Sequence, residues 1–283
     1  MNKIRLITDT NASLPADLVE KYDIIEVPIR IQFGEETYLT GVEIDDKKLF
    51  EMIDERKVLP TTAAPSPGDF SKAFKRVFDE GAEDAICICC SSEVSATYNA
   101  ALMALEEFSG KEVHVIDSRQ LTLAEGYQVL AAAEAVEEGA TVESILDRIK
   151  DLQSRLHVYG ALPTLKYLAM GGRMGRLAAG FGETLEIKPI LNSSGGKLEL
   201  LEKVRTWRKA KARLVELAVQ STTGRPVELV GMLHVNNEEG ALELFDSLKT
   251  ALGFDLEPLI TEFTPGLSVH TGSGVIGYVI VTK

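Results

Sequence analysis

Several segments gather hydroxyl, carboxyl and imidazole groups at spacings that suit anion recognition or nucleophilic chemistry. Thr8-Asp9-Thr10-Asn11, Ser91-Ser92-Glu93-Val94-Ser95 and Asp117-Ser118 each follow a short apolar run and precede a helical pattern. Parallel sheets bind ligands beyond the C-terminal ends of their strands, where helix N-termini turn unpaired N–H groups towards anions. Taken singly, each segment reads as a helix N-cap. Three of them along one sheet edge imply a polar pocket, and the hydroxyls of Ser91 to Thr97 suit a carboxylate or a phosphate.

Pro60-Thr-Thr-Ala-Ala-Pro-Ser-Pro67 combines hydroxyls with three prolines, so it reads either as structural punctuation or as a rigid loop that loses little entropy on meeting a ligand. His270, in Ser268-Val-His-Thr-Gly-Ser-Gly274, reads as a general base, a donor to an anion or a packed histidine, and its place before a Gly-rich turn favours binding. Ser95, His270 and Asp9 supply the residue types of a serine hydrolase. No G-x-S-x-G surrounds any candidate serine, which ranks hydrolase or acyltransferase chemistry by Ser95 with His270 below binding. Gly272-Ser-Gly-Val-Ile-Gly277 has the letters of a dinucleotide fingerprint, but only six residues follow it, too few for the helix that the motif must open.

The elements that must hold these groups are legible as Ile/Val-rich runs followed by turns and helical patterns, the signature of an α/β fold with a parallel sheet. Strands are expected at 3–7, 85–90 and 112–116, with helices at 15–22, 96–108 and 121–138. After a helix at 142–155 the rhythm changes, and a second α/β domain is expected from 156. It should hold strands near 157–161, 186–191, 197–204, 227–234 and 274–281 and a basic helix after 204. The expected division is therefore 1–155 and 156–283.

Of the 283 residues, 45% are apolar and 26% charged, which excludes collagenous, low-complexity and disordered chains. The net charge of −13 repels nucleic acid over the molecule as a whole. Residues 155–213 nevertheless hold 12 basic and 4 acidic side chains, including Arg173 and Arg176 bracketed by glycines, and offer a local face to an anionic partner. No apolar run approaches the ~20 residues that span a bilayer, and a cytoplasmic protein is expected. Cys87, Cys89 and Cys90 crowd into one apolar run and read as buried thiols rather than metal ligands.

Six motifs in order resemble the DegV family, whose characterised members are the fatty-acid-binding (FakB) subunits of bacterial fatty acid kinase. Ile7-Thr-Asp-Thr10 is similar to the family's TDS start, Thr62-Ala-Ala-Pro-Ser-Pro67 to its TSQPSP loop and Ser91-Ser-Glu-Val-Ser-Ala-Thr-Tyr98 to its SS-x-x-SGTY segment. Gly171-Gly-Arg173, Lys188-Pro-Ile-Leu191 and His270-Thr-Gly-Ser-Gly274 resemble GGR, KPIL and HTGPG. The resemblance implies a two-domain carrier with a long-chain fatty acid in an apolar tunnel between the domains. Thr62, Ser95 and His270 would hold the carboxylate, with Asp9, Ala96, Asp117, Ser118 and Gly272 nearby. It further implies presentation of that carboxylate to a separate ATP-dependent kinase, docked at Arg173 and Arg205, for acyl-phosphate formation and phospholipid synthesis. The carrier would have no catalytic residue, no cofactor and no metal.

Burial of an acyl chain of roughly fifteen methylenes at about 0.8 kcal/mol each gives on the order of 12 kcal/mol before association costs. Hydroxyls and an imidazole then need only satisfy the head group. Three positions depart from the family pattern: Ala64 for Gln, Ala96 for Gly and Ser273 for Pro. A Cβ on Ala96 is expected to bear on the approach of a carboxylate to backbone N–H groups.

Overall fold

Alternate residues of the apolar runs point to opposite faces of a strand, and in the computed structural model both faces are covered. The structure describes residues 3–173 and 187–283. In chain order the elements are β1 (Ile4–Asp9), α1 (Ala16–Lys21), β2 (Ile25–Val27), β3 (Arg30–Phe33), β4 (Glu36–Leu39), α2 (Asp46–Arg56), β5 (Thr61–Ala63), α3 (Pro67–Asp79), β6 (Asp84–Cys89), α4 (Thr97–Ala104), β7 (Glu112–Asp117), α5 (Leu123–Glu137) and α6 (Val142–Arg155). They are followed by β8 (Leu156–Ala161), α7 (Lys166–Met170), β9 (Lys188–Ser194), β10 (Lys197–Val204), α8 (Trp207–Thr222), β11 (Val227–His234), α9 (Glu238–Leu252), β12 (Leu259–Glu262), α10 (Pro265–Thr271) and β13 (Ile276–Thr282). Arg176, and Glu186 at the start of an expected strand, lie outside the described residues.

The chain divides into two compact units. Unit 1 comprises residues 1–43, 62–154 and 195–197, and unit 2 comprises 44–61, 155–194 and 198–283. This differs from a single cut after residue 155. The cause is tertiary: Ser268 of α10 donates to Asp46 of α2 at 2.5 Å, and that bond ties 44–61 to a segment 222 residues away.

Unit 1 is built on the parallel sheet β2-β1-β6-β7, with Ile4 opposite Asp84 and Cys89 opposite Asp117. Ile7, Cys87 and Cys89 face Phe70, Phe74 and Val77 of α3 and Ala101 of α4. Leu6, Ile86 and Ile88 face Val129 and Ala132 of α5 and Ile145 and Ile149 of α6. A smaller sheet, β4-β3-β5, carries Thr62. The expected proline loop is thus half strand and half helix start. Ser66 accepts the Asp69 N–H, the Asp69 carboxylate accepts the Ser66 N–H, and Pro67 opens α3.

In unit 2 the sheet order is β10-β9-β8-β13-β11-β12, antiparallel at β8–β9, β8–β13 and β11–β13 and parallel at β11–β12. Leu214, Leu217 and Ala218 of α8 and Leu244 and Leu248 of α9 pack on Met232, Tyr278 and Ile280. The buried Tyr278 hydroxyl donates to the Leu214 carbonyl at 3.0 Å. Gly277, the last glycine of the fingerprint letters, lies mid-strand between Gly160 and Leu233. A Cβ there would stand 2.6 Å from the Tyr159 carbonyl oxygen, so close strand packing accounts for this glycine.

Candidate functional site

Unit 1 positions the hydroxyl cluster after β6. Ser91 and Thr97 are buried, Ser95 is half-buried and Ala96 is exposed. Ser95 Oγ lies 2.7 Å from Thr97 Oγ1 and accepts the Thr97 N–H at 3.3 Å at the start of α4. Ala96 has φ −79° and ψ 1°, open to any residue, so its Cβ imposes no backbone strain. Thr62 is half-buried on β5.

From Ser95 a polar network runs into the core. Thr97 hydrogen-bonds the Cys90 thiol, whose sulfur also accepts from Asn11 Nδ2 at 3.4 Å. The Asp9 carboxylate accepts the N–H groups of Cys90 and Asn11, each at 2.9 Å. Beside it lies Glu125 of α5, which accepts from Thr8 Oγ1 at 3.3 Å. Asp9, Cys90 and Glu125 are all buried, with ligand-type atoms within 4.8 Å of one another. Burial and the Asp9 charge push the Glu125 carboxyl well up, whereas Asp9 is held as an acceptor by two backbone N–H groups. Glu125 is therefore the member of this carboxyl pair whose neutral form is favoured beside the Asp9 charge.

Asp117 and Ser118 are engaged locally. Asp117 accepts from Ser92 Oγ at 2.6 Å and from Arg119 N at 2.9 Å, while Ser118 Oγ donates to the Gln120 carbonyl. The turn that follows ends on Thr122, buried, at φ 52° and ψ −151°. That conformation is strained for a β-branched residue.

Unit 2 places His270 in the last turn of α10, where sequence alone showed a Gly-rich turn. Burial, together with the Arg173 charge, lowers the imidazole pKa to about 4, so the ring is neutral at physiological pH. The structure thus brings Arg173 and His270 together, although sequence assigned them to different tasks. Arg173 is exposed and its Nη1 donates to the Gly171 carbonyl at 2.8 Å. Gly272, at φ 79° and ψ 166°, follows α10, and Arg205 is exposed between β10 and α8.

Sequence reasoning missed Glu125 and Asp46. Glu125 had one available signal, an acid within an Ala-rich apolar stretch. Asp46 had none, because it is one of two adjacent aspartates before an amphipathic helix. Burial raises its pKa to about 7, and the Ser268 hydrogen bond opposes that shift.

Residues 3–283 match the family described as "Uncharacterised protein, DegV family". The chain is 33% identical over 280 residues to the DegV domain-containing protein SCO2569 of Streptomyces coelicolor, covering 99% of each. Among solved structures it is similar to a fatty-acid-binding DegV family protein from Thermus thermophilus, with a TM-score of 0.92, 28% identity and 99% of each chain covered. It is also similar to a stearic-acid-binding protein from Eubacterium ventriosum, with a TM-score of 0.89, 25% identity, and 100% of this chain and 99% of that one covered. Among the described residues no helix is long and apolar enough to cross a membrane. With its α/β architecture, the match over residues 3–283 and 33% identity over 99% of a DegV domain-containing relative, the chain belongs to the DegV family.

Proposed function

We propose that this protein is a cytoplasmic, non-catalytic carrier of a long-chain fatty acid. Thr62, Ser95 and His270 hold the carboxylate, and the acyl chain lies in an apolar tunnel. The similarity over 99% of both chains to a solved fatty-acid-binding DegV protein carries this reading. The chemistry supports it: Ser95 supplies a hydroxyl at a helix start, and a neutral imidazole adds a hydrogen bond without the cost of burying a second charge. An imidazole that titrates at about 4 is a poor general base for a serine hydroxyl, and Asp9 spends its oxygens on backbone N–H groups.

The test is native mass spectrometry of the purified protein, followed by solvent extraction and identification of what it carries. One long-chain fatty acid per chain supports the proposal. A protein that arrives empty and takes up no added palmitate refutes it. Presentation to an ATP-dependent kinase is the further part of the reading, with Arg173 and Arg205 as docking residues. Arg173→Ala and Arg205→Ala are then expected to lower acyl-phosphate formation by an added fatty acid kinase.

A further inference from the structure

Within unit 2, α7 and α10 dock by exchanging rings. Gly171 closes α7 and lies against His270 of α10: a Cβ on Gly171 would overlap Nδ1 and stand 2.8 Å from Cε1. Gly272 follows α10 and lies against Tyr167 of α7: a Cβ there would overlap Cε2 and stand 2.6 Å from Cδ2. The two glycines answer different demands. Gly272 needs its positive φ as well as the space, whereas Gly171 has φ −77° and is held to glycine by space alone.

Helices of five and seven residues do not hold themselves together, so tertiary contacts fix where His270 points. Ser268 and His270 are two residues apart on α10 and project from nearly opposite sides of it. Ser268 reaches Asp46 of α2, and His270 reaches Gly171. α10 is therefore gripped on both sides, and the imidazole sits in the notch that the missing Gly171 side chain leaves.

We propose that Gly171 and Tyr167 are positioning residues for the His270 imidazole, Gly171 by leaving the notch and Tyr167 by clamping the turn after α10. The effect on ligand binding rests on the carboxylate role assigned to His270 above, whereas the effect on the ring rests on the docking alone. The test follows the histidine ring signals by NMR across pH in the ligand-free protein, with His270→Ala to assign the ring, and measures palmitate affinity in parallel. In Gly171→Ala and Tyr167→Ala the His270 midpoint is expected to rise from about 4 towards the ordinary 6.5 as the ring leaves its site. Palmitate affinity should fall to the level of His270→Ala, on the order of tenfold, and His270→Ala combined with Gly171→Ala should bind no more weakly than His270→Ala alone. Tyr167→Phe, which keeps the ring over Gly272, should behave as the native chain. An unmoved midpoint in both variants overturns the inference. Moved midpoints with palmitate affinity unchanged even in His270→Ala uphold the positioning and sink the carboxylate role instead. Should Gly171→Ala not fold, Gly171→Ala with His270→Ala removes the overlapped ring and is expected to fold. A double variant as unstable as the single one also overturns the inference.

Discussion

Asp9 and Glu125 lie side by side in the core of unit 1, and burial, then the Asp9 charge, favours the neutral form of Glu125. Folding favours the protonated Glu125, so its contribution to stability is complete below the ordinary carboxyl pKa and is lost as pH rises towards its elevated folded value. Glu125→Gln keeps the acceptor for Thr8 and stays neutral beside Asp9 at every pH. Its melting temperature is expected to fall less between pH 6 and 9 than that of the native chain, as calorimetry would show. Glu125→Ala, which leaves a cavity in the core and the Thr8 hydroxyl without its acceptor, should cost about 2–4 kcal/mol.

Asp46 extends the same logic to unit 2. Its carboxyl titrates at about 7 against an ordinary 3.8, because burial disfavours its charge and Glu262 and Asp45 add to the repulsion. The stability it contributes is complete below about 4 and lost as pH rises through about 7. Glu26, raised by burial to about 7 and facing the Asp9 charge, adds a slope of the same sign in unit 1. Asp46→Asn is expected to flatten chemical-denaturation stability between pH 5 and 8 but leave the Glu26 share. An unchanged slope would show that Asp46 does not titrate in this range.

Thr122 holds a conformation that glycine adopts freely. Strain of this kind costs on the order of 1–3 kcal/mol, more than the roughly 0.5–1 kcal/mol of extra chain entropy that glycine loses on folding. Thr122→Gly should therefore raise the melting temperature, and Thr122→Ala should not.

Ser95→Ala separates a carrier from a hydrolase. Removal of one hydroxyl to a carboxylate should weaken palmitate binding on the order of tenfold. No ester-cleaving activity should disappear with it. A chromogenic-ester assay in which the native protein turns over and Ser95→Ala does not would favour the nucleophile.

Strands were legible where both faces are buried. Runs such as Ile86 to Cys89 leave no other placement for so many apolar side chains, and the helices after them announced themselves by periodicity. α10 was not legible, because Pro265-Gly-Leu-Ser-Val-His-Thr271 is short, and the tertiary grip of α2 and α7 rather than intrinsic propensity makes it helical. The polar strand ends could be read as binding loops. Which of their hydroxyls are spent internally, as Ser66, Ser92 and Ser118 are, depends on partners set by the fold. The Gly171-Gly-Arg173 motif was read for its arginine, but the structure gives its first glycine a separate task, as the seat of an imidazole nearly a hundred positions away.

The bond between Asp46 and Ser268 has a consequence for biosynthesis. α2 leaves the ribosome first, and the helix that anchors it is made 222 residues later. Until then the first unit must mature around an unanchored excursion of its own chain. An amino-terminal fragment ending at residue 155 would carry that excursion permanently, with a buried-type carboxyl exposed to water and nothing to receive it. Completion of the second unit is in this sense a stitch back into the early chain, tied only after the whole first unit has been made.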